Sequence, residues 1–355
     1  MLSREGLLRH GILYPTPVRA NNHASVTSHF FGSDVAPFPN KLLNNFNPNA
    51  ILAEGQATWD TIEKELLNHD VDTAMLSAEI LFGMGRRDAF DAFIETLRAF
   101  ADELHVVAYV RSPAEHFLSM KQQSLKHALP RRVPKEDADN RIMLGSYLDT
   151  EGIILHVHPF DRDRRLDGDI VTDFFTRHLS AAARDAIVRP DADENTSLSP
   201  EAMVILDELR TGTAPRKYAH YGRPSADYAD LIQRLDGEIP RKTRPKYKPG
   251  IAQKIFDAKQ DLDWLDATFG IRFERPAGDP AADNLTLDDL KTVRSLCYVN
   301  EDRYQQFWQI LPPPEKARLR WIGRKLRNAF KHPLRAISNI SKLLSRLVDR
   351  RPTKT

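Results

Sequence analysis

The sequence predicts an α/β chain, a parallel sheet with helices packed against it. Three observations carry this. Leu104–Val110, LHVVAYV, is an almost unbroken apolar run, the pattern of a strand covered on both faces. Arg111 stands at its end and Ser112-Pro113-Ala114-Glu115 follows at once, so a strand hands over directly to a helix. Beside it, Phe90, Phe93, Ile94, Leu97 and Phe100 recur at three and four residues, which marks a helix over 87–102 covering the sheet.

The other elements follow in chain order. Leu7, Leu8, Ile12 and Leu13 read as the end of a helix running into an extended segment. Residues 33–50, with prolines and several asparagines, read as loop, and 59–67 as helix. Residues 71–77 form a second short strand, with Ala78-Glu79 at its carboxyl end. After the central strand, Ser112 serves as cap, Pro113 as first helical residue and Glu115 as the return half of a capping box. Ser119 lies seven residues after Ser112, so at 100° per residue the two share a face. An Arg at a strand end beside a helix start can hold an anion, through unpaired N–H groups and a planar guanidinium fork. The plainer alternative is a surface Arg and an ordinary helix Ser.

Residues 130–139 read as a charged loop and 152–157 as another strand, where His156 and His158 point the same way. Two histidines need a third ligand that the spacing does not identify, so no metal is expected. Helices follow over 169–178, from Ser199-Pro200 onward, and over 261–269 with Gly270 as stop. The Arg, Lys, Pro and Tyr of 212–250 read as solvated loop charge. The acidic body argues against nucleic acid as partner. Residues 276–311 give a helical extension with a Tyr, Phe and Trp cluster. Beyond the Pro312-Pro313-Pro314 hinge comes a basic amphipathic tail over 312–355.

Bulk properties narrow the class. The 355 residues are 41% hydrophobic and 28% charged, enough for one large domain with an appendage. No apolar run reaches the roughly 18 residues a membrane span needs. MLSREGLLRHG lacks the apolar core of a secretory signal, and the single Cys297 forbids an internal disulfide, so a cytoplasmic setting is expected. The net charge of +2 conceals an asymmetry: residues 312–355 carry 13 Lys+Arg against 2 Asp+Glu, leaving the rest at −9. Trp321, Ile322, Leu326 and Phe330 on a basic helix would suit the anionic inner face of a membrane through residues 315–350; packing on the body or a partner is the even alternative.

VVAYVRSPAEHFLSMKQQ resembles the segment with which PAPS-dependent sulfotransferases, in their bacterial carbohydrate-type form, hold the 3′-phosphate of the donor. LLRHGILYP, LSAEIL, HVHPFDRDRRLDGDIVTDFF and DLDWLDATFGIRF resemble further points of the same family, so the resemblance runs from about residue 5 to about 275 and implies a sulfotransferase-like domain over 1–275. It implies a P-loop NTPase-like three-layer parallel sheet with flanking helices, and transfer of a sulfuryl group from PAPS to a hydroxyl or amine of a carbohydrate or glycolipid, without a metal. It implies Arg111 and Ser119 as ligands of the 3′-phosphate, and His23 or Glu79 as the group that takes the acceptor proton. For His23 an exposed loop position is the alternative, and for Glu79 a surface residue that starts the next turn. The sequence departs from the family at one point. The first strand and a P-loop of the type Pro-Lys-Thr-Gly-Thr-Thr are missing ahead of LLRHGILYP, and Gly83-Met84-Gly85 lacks the Lys-Ser/Thr that should follow. The expectation therefore divides between an enzyme whose start lies upstream and a degenerate, non-catalytic binding protein of the same fold.

Overall fold

The computed structural model describes residues 3–16, 22–86, 88–127, 139–161, 164–188, 197–215 and 226–312. The readings placed on 130–138, on 216–225 and on the tail 315–350 lie outside them. The described residues of Met1–Lys121, Arg132–Thr196 and Tyr247–Lys291 form one compact unit, and those of Gln122–Arg131, Ser197–Lys246 and Thr292–Thr355 a second. The helical extension drawn from 276 onward is thus shared between the two.

The chain is α/β, with small parallel sheets. Among the described residues the first unit holds two parallel strand pairs. Strand β1 (Ile12–Leu13) pairs with β2 (Thr73–Ala74), and β3 (Leu104–Val110) with β4 (Ile153–Pro159). β2 is shorter than the 71–77 expected because its flanks bond elsewhere. The N–H groups of Asp72 and Thr73 both donate to Gly11 O, and Ser77 is taken up by His23. Gly11 sits at φ +71, and a Cβ there would lie 2.6 Å from the Asp72 carboxylate, so the turn into β1 requires glycine.

The β3–β4 ladder runs in register from Leu104↔Ile153 to Val110↔Pro159. Alternation sends Val106, Ala108, Val110, Leu155 and Val157 to one face. Helix Phe90–Arg98 covers that face through Phe90, Phe93 and Ile94, helix Asn140–Asp149 through Leu144 and Tyr147, and helix Leu262–Phe269 through Leu265. The opposite face carries His105, Val107, Tyr109, His156 and His158 and meets helix Ile170–His178, where Tyr109 Oη donates to Asp173 Oδ2 at 2.8 Å. His105 remains exposed, so the expectation of a strand covered on both faces fails at this end.

Residues 33–50 are mostly helical, against the loop expected. A helix spans Phe38–Leu43, and Pro48–Asn68 is a 21-residue helix capped by Asn47, whose side chain accepts from the N–H groups of Asn49 and Ala50. An Asn-Pro pair is a good helix start, and the asparagines have a further task. Asn40 and Asn44 donate to the buried Glu54 carboxylate at 3.0 and 2.6 Å, so the polar residues read as loop solvate an acid inside the fold.

The second unit is helical. Helix Pro200–Thr211 is buried almost all round, as a central helix must be, and starts as the sequence suggests, with Ser199 Oγ accepting from Ala202 N–H at 3.2 Å. Helices Ala226–Glu238, Val293–Leu296 and Glu301–Ile310 belong to the same unit. At its centre Arg303, 2% exposed, meets Glu201 at 3.0 Å and Asp236 at 2.8 Å.

Candidate functional site

The site begins where β3 and β4 end. Helix Pro113–Lys126 starts two residues beyond β3, with Pro113 as its first residue. Its buried stripe, Ala114, Phe117, Lys121 and Leu125, faces the core. By the 100° step, Ser112, Glu115 and Ser119 lie on the face away from that stripe. Ser119 is half-exposed, and its hydroxyl has no hydrogen-bond partner among the described residues.

Arg111 is half-buried at the carboxyl end of β3. Because Val110 pairs with Pro159, the next residue of each strand, Arg111 and Phe160, stands on the same side of the last rung, and Phe160 N–H donates to Val110 O at 2.6 Å. The guanidinium carbon of Arg111 lies 4.0 Å from the centre of the Phe160 ring, and that of Arg165 lies 4.4 Å from the same centre. Burial draws the Arg111 pKa down from its ordinary value; Glu79 and Glu115 oppose this, and Arg165 adds to it. Neither carboxylate comes within ion-pair distance, and among the described residues Arg111 has no hydrogen-bond acceptor. A half-buried guanidinium supported by a ring and by no carboxylate can take an anion.

Glu79 is the exposed first residue of a 3-10 helix, Glu79–Arg86, as the plainer alternative had it. Its charge is nonetheless felt at Arg111, so the fold brings two of the four expected site residues into one electrostatic neighbourhood.

His23 does not suit the role of base. It is fully buried rather than exposed on a loop, and both ring nitrogens are engaged. Nδ1 accepts from Ser77 N–H at 3.0 Å, which fixes the neutral tautomer with Nε2–H donating to Pro15 O at 2.9 Å. Burial pushes its pKa down, partly offset by the Pro15 and Ser77 bonds and by Glu65. With its lone pair occupied, this imidazole ties the segment after β1 to the segment after β2 and has nothing left with which to accept a proton.

Sequence reasoning missed Phe160 and Arg165 as site residues, although both stand in the HVHPFDRDRR stretch. Their signal was positional: Phe160 leaves β4 as Arg111 leaves β3. Of the histidine face it found His156 and His158 and missed His105 and His178. His105 Nδ1 and His156 Nε2 are 3.1 Å apart, as are the Nε2 atoms of His158 and His178. Beside them Asp173 receives bonds from Tyr109, Arg177 and the Leu166 N–H; burial would raise its pKa, but these bonds outweigh it and hold the carboxyl at about 2. Among the described residues no group of three or more His, Cys, Asp or Glu is arranged to hold a metal, and no helix is long and apolar enough to cross a membrane.

The chain matches no family model, no curated protein and no solved structure.

Proposed function

We propose that the chain is a sulfotransferase-like protein that holds the 3′-phosphate of PAPS at Arg111 and Ser119. The observation that carries this is the Arg111 guanidinium, half-buried on Phe160 at the carboxyl end of a parallel strand, with no acceptor among the described residues. With it goes the finer reading of the fold as a P-loop-like three-layer sheet. In the transfer, an acceptor hydroxyl or amine of a carbohydrate or glycolipid attacks sulfur. The bond from sulfur to the 5′-phosphate oxygen breaks, adenosine 3′,5′-bisphosphate leaves with that electron pair, and the acceptor proton passes to a base. The resemblance gives that proton to Glu79, and its exposure and the reach of its charge to Arg111 support the reading.

Calorimetric titration of adenosine 3′,5′-bisphosphate tests the donor assignment. Arg111→Gln should weaken binding by about 10- to 100-fold and Ser119→Ala by about 3- to 10-fold, the range of a charge-assisted and a neutral hydrogen bond. Full-length protein that does not bind the bisphosphate refutes the assignment.

A second reading is a binding protein of this fold without transferase activity, peripheral at a membrane through its basic tail. The occupied His23 lone pair favours it, since one of the two residues expected to move the proton is unable to do so. Tight bisphosphate binding with no PAPS consumption across a panel of sugar acceptors would decide for this reading.

A further inference from the structure

The ring of Phe160 supports two guanidinium groups, and only one of them has been given a task. Arg165 lies just after β4, before the short 3-10 turn Leu166–Gly168. Its Nε donates to Asp161 O at 3.3 Å, while the Asp161 carboxylate turns to Arg164 at 3.7 Å. Among the described residues the terminal nitrogens of Arg165 have no carboxylate and no carbonyl acceptor, and the same holds for Arg111. Two like charges therefore share one aromatic support, near enough that Arg165 acts on Arg111. Glu79 and Glu115 are in the field but not in contact. An aromatic face offsets part of the repulsion between two cations but does not neutralise either of them.

We propose that Arg165 is the second guanidinium of the anion site, and that the pair selects a phosphate monoester, which carries two charges, over a diester, which carries one. This rests on the reading of Arg111 as a phosphate ligand and extends it to what the site discriminates. A monoester has a second ionisation near pH 6, so at neutral pH it is largely a dianion with three acceptor oxygens, enough to engage both forks together. A cyclic diester offers one charge and two such oxygens. Arg111 alone satisfies it, and Arg165 gains nothing from its arrival.

The probes are adenosine 3′-monophosphate and adenosine 2′,3′-cyclic monophosphate, titrated into the full chain and its Arg165→Gln, Arg165→Lys and Arg111→Gln variants at pH 7.5. The unaltered chain should prefer the monoester by tenfold or more. Arg165→Gln should bring that preference to within about threefold while the diester binds as before. Arg165→Lys, which keeps the charge and loses the fork, should fall between, and its retained binding shows that the site still folds. A preference unchanged in Arg165→Gln overturns the role given to Arg165 and leaves that of Arg111 intact. If the unaltered chain binds neither nucleotide, both fall together.

Discussion

Replacing Arg303 with Met removes the charge at the centre of the second unit and keeps much of the side chain's length. The guanidinium donates to Ser199 Oγ, Glu201 Oε2, Asp236 Oδ1 and the carbonyl oxygens of Asp236, Ile239 and Pro240. The loss falls unevenly on its two acids. Asp236 keeps Lys242 at 3.1 Å and two bonds from Ser199, whereas Glu201, 1% exposed, keeps among the described residues only the Asn300 N–H at 2.8 Å. Removing one partner of a buried ion pair costs about 3–5 kcal/mol, and with Asp236 still held the expected figure is about 4 kcal/mol. That is a large part of the 5–15 kcal/mol a domain has in total. Native-state hydrogen exchange of helix Pro200–Thr211 should register it as a fall in protection of about a thousandfold. The double variant Arg303→Met/Glu201→Gln should recover about half, because the amide no longer buries an uncompensated charge. A cost under about 1 kcal/mol for Arg303→Met, or a double variant no better than the single, would refute the reasoning.

Other expectations follow from particular contacts. Gly55→Ala gains helix propensity but sets its Cβ 2.4 Å from Ser28 Oγ and 2.6 Å from the His29 backbone nitrogen. Overpacking should win by about 1–3 kcal/mol, and a melting temperature that rises would show that helices Val26–Phe31 and Pro48–Asn68 can part. His23→Ala strands Pro15 O in the interior and takes from the Ser77 N–H its acceptor, and should lower stability by about 2 kcal/mol, while Glu79→Gln, on an exposed residue, should leave the melting curve unchanged and remove the proposed turnover. The reverse pattern would return the proton to His23. On acidification, His178 is held down to about 4 by burial, then by His158, His156, Arg177 and His105, and His158 is lowered as well. The folded chain therefore binds fewer protons than the unfolded one between pH 6.5 and about 4. This contribution is complete above pH 6.5 and is lost as pH falls through that window, by about 1 kcal/mol once solvent screening of these half-exposed rings is allowed for. Equal urea midpoints at pH 7 and pH 4.5 for the unaltered chain, with the same result in His178→Phe, would contradict it.

The central strand and its helix were readable because their signals are local. An almost unbroken apolar run and a Ser-Pro junction gave bounds that the structure places at Leu104–Val110 and Pro113–Lys126. The stripe from Phe90 and the glycine stop at Gly270 were legible for the same reason. What escaped depends on partners far away in sequence. The 71–77 strand has suitable residues, yet its N–H groups and carbonyls are claimed by Gly11 and His23. The asparagines of 40–47 resemble a loop until Glu54 is placed beside them. Within LHVVAYV, His105 and Tyr109 alternate with core residues, a period of two hidden by Val107 between them. Arg303 offered no signal, since a lone Arg in an exposed-looking helix becomes central only when Ser199, Glu201 and Asp236 surround it.

The crowded ring at Phe160 makes the protein report its own ligands. Two guanidinium groups share one ring with Glu79 and Glu115 in the field but not in contact, and an anion bound there as proposed would be rewarded in the unfolding curve. A compound at a hundred times its dissociation constant adds about 2.7 kcal/mol, enough to move a melting point by several degrees. A plate of phosphorylated and sulfated metabolites, read only by the temperature at which the chain unfolds, would therefore test the proposed site and rank its occupants without any assumption about the reaction.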